Sequence, residues 1–444
     1  MDLARWIAVV VGIVVAAQVH ATDLLEVYRL AERHDTKYQS AVATYHATRT
    51  RLPQARAGLL PALSATGDIT RNDVETVTDR GILSRPAGGA IYDSTGYGLS
   101  LKQPLYNAAA FATLRQARAE VRRAEAEYAI ARHDLIVRVA EAYFQVLAAR
   151  DGLSFATAER QATARQLEVA EGRRAVGLAA ITDVHDARAR HEIAKAQEIE
   201  ADNQLADKLE ALRELTGSRI ETLSPLGMSM PLISPDPPDM QRWIETALAQ
   251  SFAITARRAA AETAHEEVRR QRAGHYPVLD IVGNHTREDT DGSITGPGVR
   301  ADTSTVGLQL SVPLYQGGAV AARASEAAHR YAAALAELDG QLRATERATR
   351  SAYQGAASGA ARVTALTQAV TAASRAFDAK RQGFEAGINS NLDVLDAARD
   401  LFRARRDLAA ARYEYVLNTL RLKQAVGTLS EDDVMQANTW LASE

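Results

Sequence analysis

The chain has no cysteine among its 444 residues. That excludes a disulfide framework and a thiol nucleophile, and no cysteine is expected at a mature N-terminus to carry a lipid anchor. Basic residues are not in surplus, since 52 Lys and Arg face 55 Asp and Glu for a net charge of -3, so nothing marks a nucleic-acid partner. Beyond residue 21 no apolar run reaches the ~18 residues a membrane-crossing helix requires. A membrane role would have to use strands. No phosphate-binding loop, GxGxxG after a strand, GxSxG or HExxH is present, and His185 and His191 are spaced so that they do not share a helix face. Neither an enzyme, a cofactor nor a metal site is expected.

Proline is scarce in a patterned way. All 12 prolines lie outside residues 105–224 and 314–444, and those two tracts are rich in Ala, Arg, Glu, Gln and Leu. Such residues favour helix, and proline is the residue a helix interior tolerates least. Within the first tract Leu114, Val121, Tyr128 and Leu135 recur at heptad spacing, with Ala117, Ala124 and Ala131 between them. Large and small residues alternating this way suit helices packed closely along their length. Residues 106–176 alone would make a rod of roughly 105 Å at 1.5 Å per residue. The opening stretch "MDLARWIAVVVGIVVAAQVHA" has an early arginine, a short apolar run and a small-x-small end, so residues 1–21 read as a secretory signal.

What is present is written twice. "GLAAITDVHDARAR" at 177–190 returns as "GINSNLDVLDAARD" at 387–400. Arg56-Ala57-Gly58 with Pro61 matches Arg272-Ala273-Gly274 with Pro277, and Pro104-Leu105-Tyr106 matches Pro313-Leu314-Tyr315. The expected organisation is a first repeat over 22–217, with a helix, a strand pair at 62–104, a long helix at 105–176 and a helix at 182–217. After a linker at 218–239, a second repeat over 240–427 holds a helix, a strand pair at 277–313, a long helix at 314–386 and a helix at 391–427. Residues 428–444 form a tail. In each repeat the two shorter helices together match the long one in length, so they can run end to end beside it.

Between the helices the period falls to two. Leu63, Ala65, Gly67 and Ile69 alternate with polar neighbours, as do Tyr97, Leu99 and Leu101, and Val306, Leu308 and Leu310. This predicts strands with one apolar and one wet face, at a length suited to a tilted bilayer crossing. Tyr97, Tyr106, Tyr276 and Tyr315 stand where interfacial aromatics belong, and 73–95 and 286–303 read as polar loops. Four strands cannot close a barrel, and open edges in lipid leave backbone groups unsatisfied. A symmetric ring of chains is the simplest remedy.

These features resemble the TolC-like outer-membrane factors of Gram-negative bacteria, over essentially the whole chain beyond residue 21. The most specific stretches are 176–189, 392–429 and the repeated Pro-Leu-Tyr. The resemblance implies a mainly α fold with a small β part: a homotrimer with a twelve-stranded barrel in the outer membrane and an α-helical tunnel in the periplasm. It implies an export duct for proteins or small toxic compounds, gated at the periplasmic tips and closest to the type I secretion branch. The implied partners are a periplasmic adaptor, an inner-membrane transporter of ABC or RND type, and outer-membrane lipid. A non-conducting periplasmic coiled-coil adaptor or scaffold protein is the alternative.

By the same resemblance Asp393 and Asp396, with Asp183 and Asp186, look like constriction residues, although Asp near a helix start also serves as a cap. Val176, Gly177 and Leu178, with Gly387 and Ile388, match the tips that meet the adaptor. The family pattern latches its helix pairs through a Tyr and an Arg where this chain has Phe384 and Asn389. Thr182 and Asp183, the receivers, are retained. An entrance more acidic and more easily opened than the family type is therefore expected.

Overall fold

A computed structural model describes residues 21–75, 89–227, 230–293 and 296–442. The signal expected at 1–21 lies almost wholly outside them, as does the middle of the loop expected at 73–95. The elements are α1 (Leu24–His34), α2 (Thr36–Arg49), α3 (Arg51–Ala57), β1 (Ala62–Glu75), β2 (Gly89–Asn107), α4 (Ala108–Ala175) and α5 (Ile181–Thr216), followed by α6 (Met240–Gln250) and α7 (Phe252–Arg272). A 3-10 turn at Ala273–His275 leads to β3 (Val278–Thr290), β4 (Gly292–Ser293), β5 (Gly296–Pro297), β6 (Arg300–Ser311), α8 (Ala319–Glu385), α9 (Asn391–Val426) and α10 (Glu431–Asn438). The chain is mainly helical with a small β part. Its residues divide into two compact units, one of Met1–Gln39, Ala131–Ala247 and Ala348–Glu444, the other of Ser40–Ile130 and Leu248–Arg347.

The second of these units holds the sheet. Its four strands are antiparallel in the order β1-β2-β3-β6. The register places Leu63 opposite Leu101, Leu101 opposite Gly283 and Gly283 opposite Val306. Directly opposed residues share a face, so the apolar sets of all four strands fall on one side. That side is open: Leu63, Ile69, Leu99, Leu308 and Leu310 are exposed, and Val306 is 85% exposed. The other face is polar, with a Ser64 to Ser100 hydroxyl bond of 2.6 Å and a Lys102 to Asp280 ion pair of 3.0 Å. β1 and β6 are edges with no partner on their outer sides among the described residues.

The strands are longer than the apolar alternation alone suggests. Pairing continues to Glu75 opposite Gly89 and to Asp289 opposite Arg300, because backbone ladders do not depend on side-chain polarity. Both expected loops are therefore partly strand. Pro104-Leu105-Tyr106 belongs to β2, where the register shifts between Pro104 and Tyr106, and Asn107 Oδ1 accepts from the Ala110 amide to start α4. Likewise Pro313-Leu314-Tyr315 precedes the second long helix rather than opening it, since Gly317 and Gly318 hold φ of 62° and 81°.

The first unit is organised around α4, α9 and the chain ends. α1 buries Leu24, Val27, Tyr28 and Ala31, and Asp23 caps it by accepting from Glu26 N at 2.7 Å. The single helix expected at the start of the first repeat is broken twice, into α1, α2 and α3. At Asp35 the backbone turns extended, and the carboxylate caps α2 through Tyr38 N at 2.8 Å while Arg138 grips both its oxygens at 2.9 and 2.7 Å. At Thr50, within the second unit, the cause is Pro53, which lacks an amide to bond Arg49 and crowds its carbonyl. In the core, Phe144 stacks on Tyr413, with ring centroids 5.7 Å apart, and the Tyr413 hydroxyl donates to Asp151 at 2.7 Å. The irregular linker is pinned, for the Tyr415 hydroxyl meets both Ile233 N and Ile233 O at 2.7 Å. The tail holds α10, whose Asp433 accepts from Ser430 N at 2.8 Å and pairs with Lys423.

Candidate functional site at the two hairpin tips

In the first unit α4 and α5 form one hairpin and α8 and α9 another. Each turn is set by a glycine: φ is 79° at Gly177 and 78° at Gly387. No atom would stand within 4 Å of a Cβ at either position, so it is the left-handed backbone, not crowding, that requires glycine there. Leu178 N closes the first turn on Arg173 O at 2.8 Å, and Ile388 N closes the second on Gly383 O at 2.7 Å. The turns carry bare apolar side chains, with Val176 69%, Leu178 73% and Ile388 82% exposed.

The aspartates divide by task. Asp183 Oδ2 accepts from Ala180 N at 3.1 Å. Asp393 Oδ2 accepts from Ser390 N at 2.9 Å and from Ser390 Oγ at 2.6 Å, while Ser390 Oγ accepts from Asp393 N. Both residues thus cap their own helix starts. The Ser390 bonds hold the Asp393 carboxyl below the usual range, helped by the charge of Lys380 and a bond from Asn389. Asp396 instead reaches the other hairpin: Arg190 Nη1 lies 2.9 Å from its Oδ1, with Arg399 of its own helix at 3.7 Å. Asp186 is exposed.

The expected latch positions are not joined to one another. Asn389 bonds Asp393 rather than Thr182 or Asp183, and Thr182 is exposed. Phe384 lies under the Arg173 guanidinium, 4.4 Å from the ring centroid, a cation-π contact between α8 and α4. Beneath the tips Ala170, Val184, Ala187 and Leu395 pack together. Sequence reasoning did not find Arg173 or Arg190. Their partners are some two hundred positions away, and no local spacing reports such a contact.

In the other unit Tyr106, Tyr276 and Tyr315 stand exposed at or beside the same end of the sheet. Tyr97 lies inside β2, opposite Gly67 and Arg287, because the ladder runs beyond it. No cluster of His, Asp and Glu that could hold a metal occurs among the described residues, nor does a helix long and apolar enough to cross a membrane.

The sequence matches the family described as outer membrane efflux protein over residues 27–218 and 243–428. The chain belongs to this family. It is 34% identical over 430 residues to the outer membrane protein TolC of Vibrio cholerae, covering 96% of this chain and 95% of that one. It is 33% identical over 426 residues to the proteases secretion protein PrtF of Dickeya chrysanthemi, covering 95% and 92%. In fold it resembles the solved outer membrane protein VceC of Vibrio cholerae, with a TM-score of 0.76 at 22% identity over 91% of this chain and 96% of that one. As an outer membrane efflux protein it resides in the outer membrane of a Gram-negative cell and is a channel of the efflux or secretion type.

Proposed function

We propose that three copies of this chain close a twelve-stranded barrel in the outer membrane and an α-helical tunnel in the periplasm, giving an export duct gated at the Gly177 and Gly387 tips. The observation that carries this is the sheet. Its apolar face is bare, and its two outer edges are unpaired among the described residues. In lipid such edges must be satisfied by further strands, and three chains give twelve, enough to leave a lumen. Tyr106, Tyr276 and Tyr315 then belong to one membrane interface. Tyr97 stands further along the strands. The two halves are copies of one ancestral unit joined by the 218–239 linker.

The apolar tip residues Val176, Leu178 and Ile388 fit docking by a periplasmic adaptor, with an inner-membrane transporter of ABC or RND type behind it. Likeness to a proteases secretion protein favours the type I secretion branch. Asp183, Asp186, Asp393 and Asp396 surround the entrance and make it prefer cations over anions. Outer-membrane fractionation with native mass measurement of the detergent-extracted protein tests the assembly. A three-chain species from the outer membrane is expected; monomeric soluble periplasmic material would overturn the reading in favour of a scaffold.

A further inference from the structure

We infer that Arg190 is the residue that fastens this entrance, by drawing Asp396 out of the acidic constriction into a clasp between the two hairpins. The inference rests on the export-duct reading above. Four observations converge on it. Arg190 and Asp396 belong to different hairpins and meet at 2.9 Å, with 26% and 37% of their side chains exposed. The only other charged partner of Asp396 among the described residues, Arg399, is more distant at 3.7 Å. The other three aspartates near the tips do not cross between hairpins, since Asp183 and Asp393 bond their own helix starts and Asp186 has no partner among the described residues. Further from the tips, α4 and α9 are joined by Tyr413, stacked on Phe144 and bonded to Asp151, and by an Arg421 to Glu141 pair at 2.7 Å beside that core.

What lies beside each contact matters for a gate, because at the far end the ion pair is backed by buried rings and at the tips it is not. Buried stacked rings with a satisfied hydroxyl form a seam that holds as a unit. A half-exposed ion pair is weak and screened by salt, so a docking partner can break it without unfolding the helices. Arg173 over Phe384 adds a second tie at the same level. The entrance is therefore clasped by a different pair rather than left loose, and half of the aspartates at the 393 and 396 positions are neutralised while it is shut.

A clasp and a merely structural contact are separated by measuring resting conductance and reversal potential in planar bilayers under a KCl gradient. Arg190→Ala and Asp396→Ala are each expected to raise resting conductance severalfold. Their selectivities should move in opposite directions, with cation preference strengthened in Arg190→Ala, which frees a carboxylate, and weakened in Asp396→Ala. The double variant should conduct no more than the single ones. Glu171→Ala, which removes only the Arg188 to Glu171 pair of 2.7 Å inside one hairpin, should match wild type. Conductance in Arg190→Ala equal to wild type, or a double variant equal to the product of the single effects, would overturn the clasp while leaving the duct standing. Absence of conductance from every variant, despite insertion as trimers, would overturn both.

Discussion

Single residues in the helical unit set its response to pH and to truncation. His133 is 4% exposed, and burial, reinforced by the charge of Arg132 and opposed by Asp433, pushes its pKa from 6.5 down to about 4. The unfolded chain therefore binds this proton more readily than the folded one. The contribution of neutral His133 is complete above pH 6.5 and is lost as pH falls toward 4, at a cost of about 3 kcal/mol once both states are protonated. Chemical denaturation of wild type and His133→Gln at a series of pH values should show the slope between pH 6.5 and 4 reduced in the variant. Asp35 poses the opposite problem, because it is buried and charged, and Arg138 is its main partner. Arg138→Ala strands that carboxylate and should cost about 3 kcal/mol, read as a lower denaturation midpoint. Double replacement with Asp35→Asn should recover part of the loss, since a neutral amide is cheaper to bury than an unpaired charge.

At the scale of elements, the tip turns offer the clearest test. Gly177→Ala and Gly387→Ala each force a Cβ into the left-handed region at about 1 to 2 kcal/mol, with no clash to relieve. Both variants should keep the helix content of the wild type and show increased protease nicking at the altered turn. Nicking equal to wild type would mean the turns relax without strain. These turns were legible in the sequence, and so were the two long helices, because proline absence and alanine richness act residue by residue along one helix. The strand alternation was legible for the same local reason. Less visible were the features that depend on a competing local rule. Pro53 and the double role of Asp35 cut a helix that pattern alone ran through, Gly317-Gly318 delayed α8, and backbone pairing carried the strands into polar sequence. The Arg190 to Asp396 contact was not legible at all, because heptad pattern reports which face of a helix is buried but not which residue of a distant helix will meet it. The capping role of aspartate near a helix start was legible too, and Asp183 and Asp393 both fill it.

At the scale of the whole molecule, membrane insertion depends on the bare apolar face of the sheet meeting lipid. Leu308→Arg places a charge on that face, in register with Ile281. Insertion into lipid vesicles should then weaken by about 2 to 4 kcal/mol if the position is near the midplane, while Gln309→Arg on the opposite face should insert as wild type. Equal insertion by both would remove the sheet from the membrane. The most direct test of an export duct remains the conductance of the wild-type protein, purified as an oligomer and added to a planar bilayer under a salt gradient. Small, discrete, cation-preferring steps are predicted, as expected of a narrow acidic entrance in series with a wider lumen. Protein that inserts as trimers yet passes no ions, even when Arg190 and Asp396 are both replaced, would contradict the account.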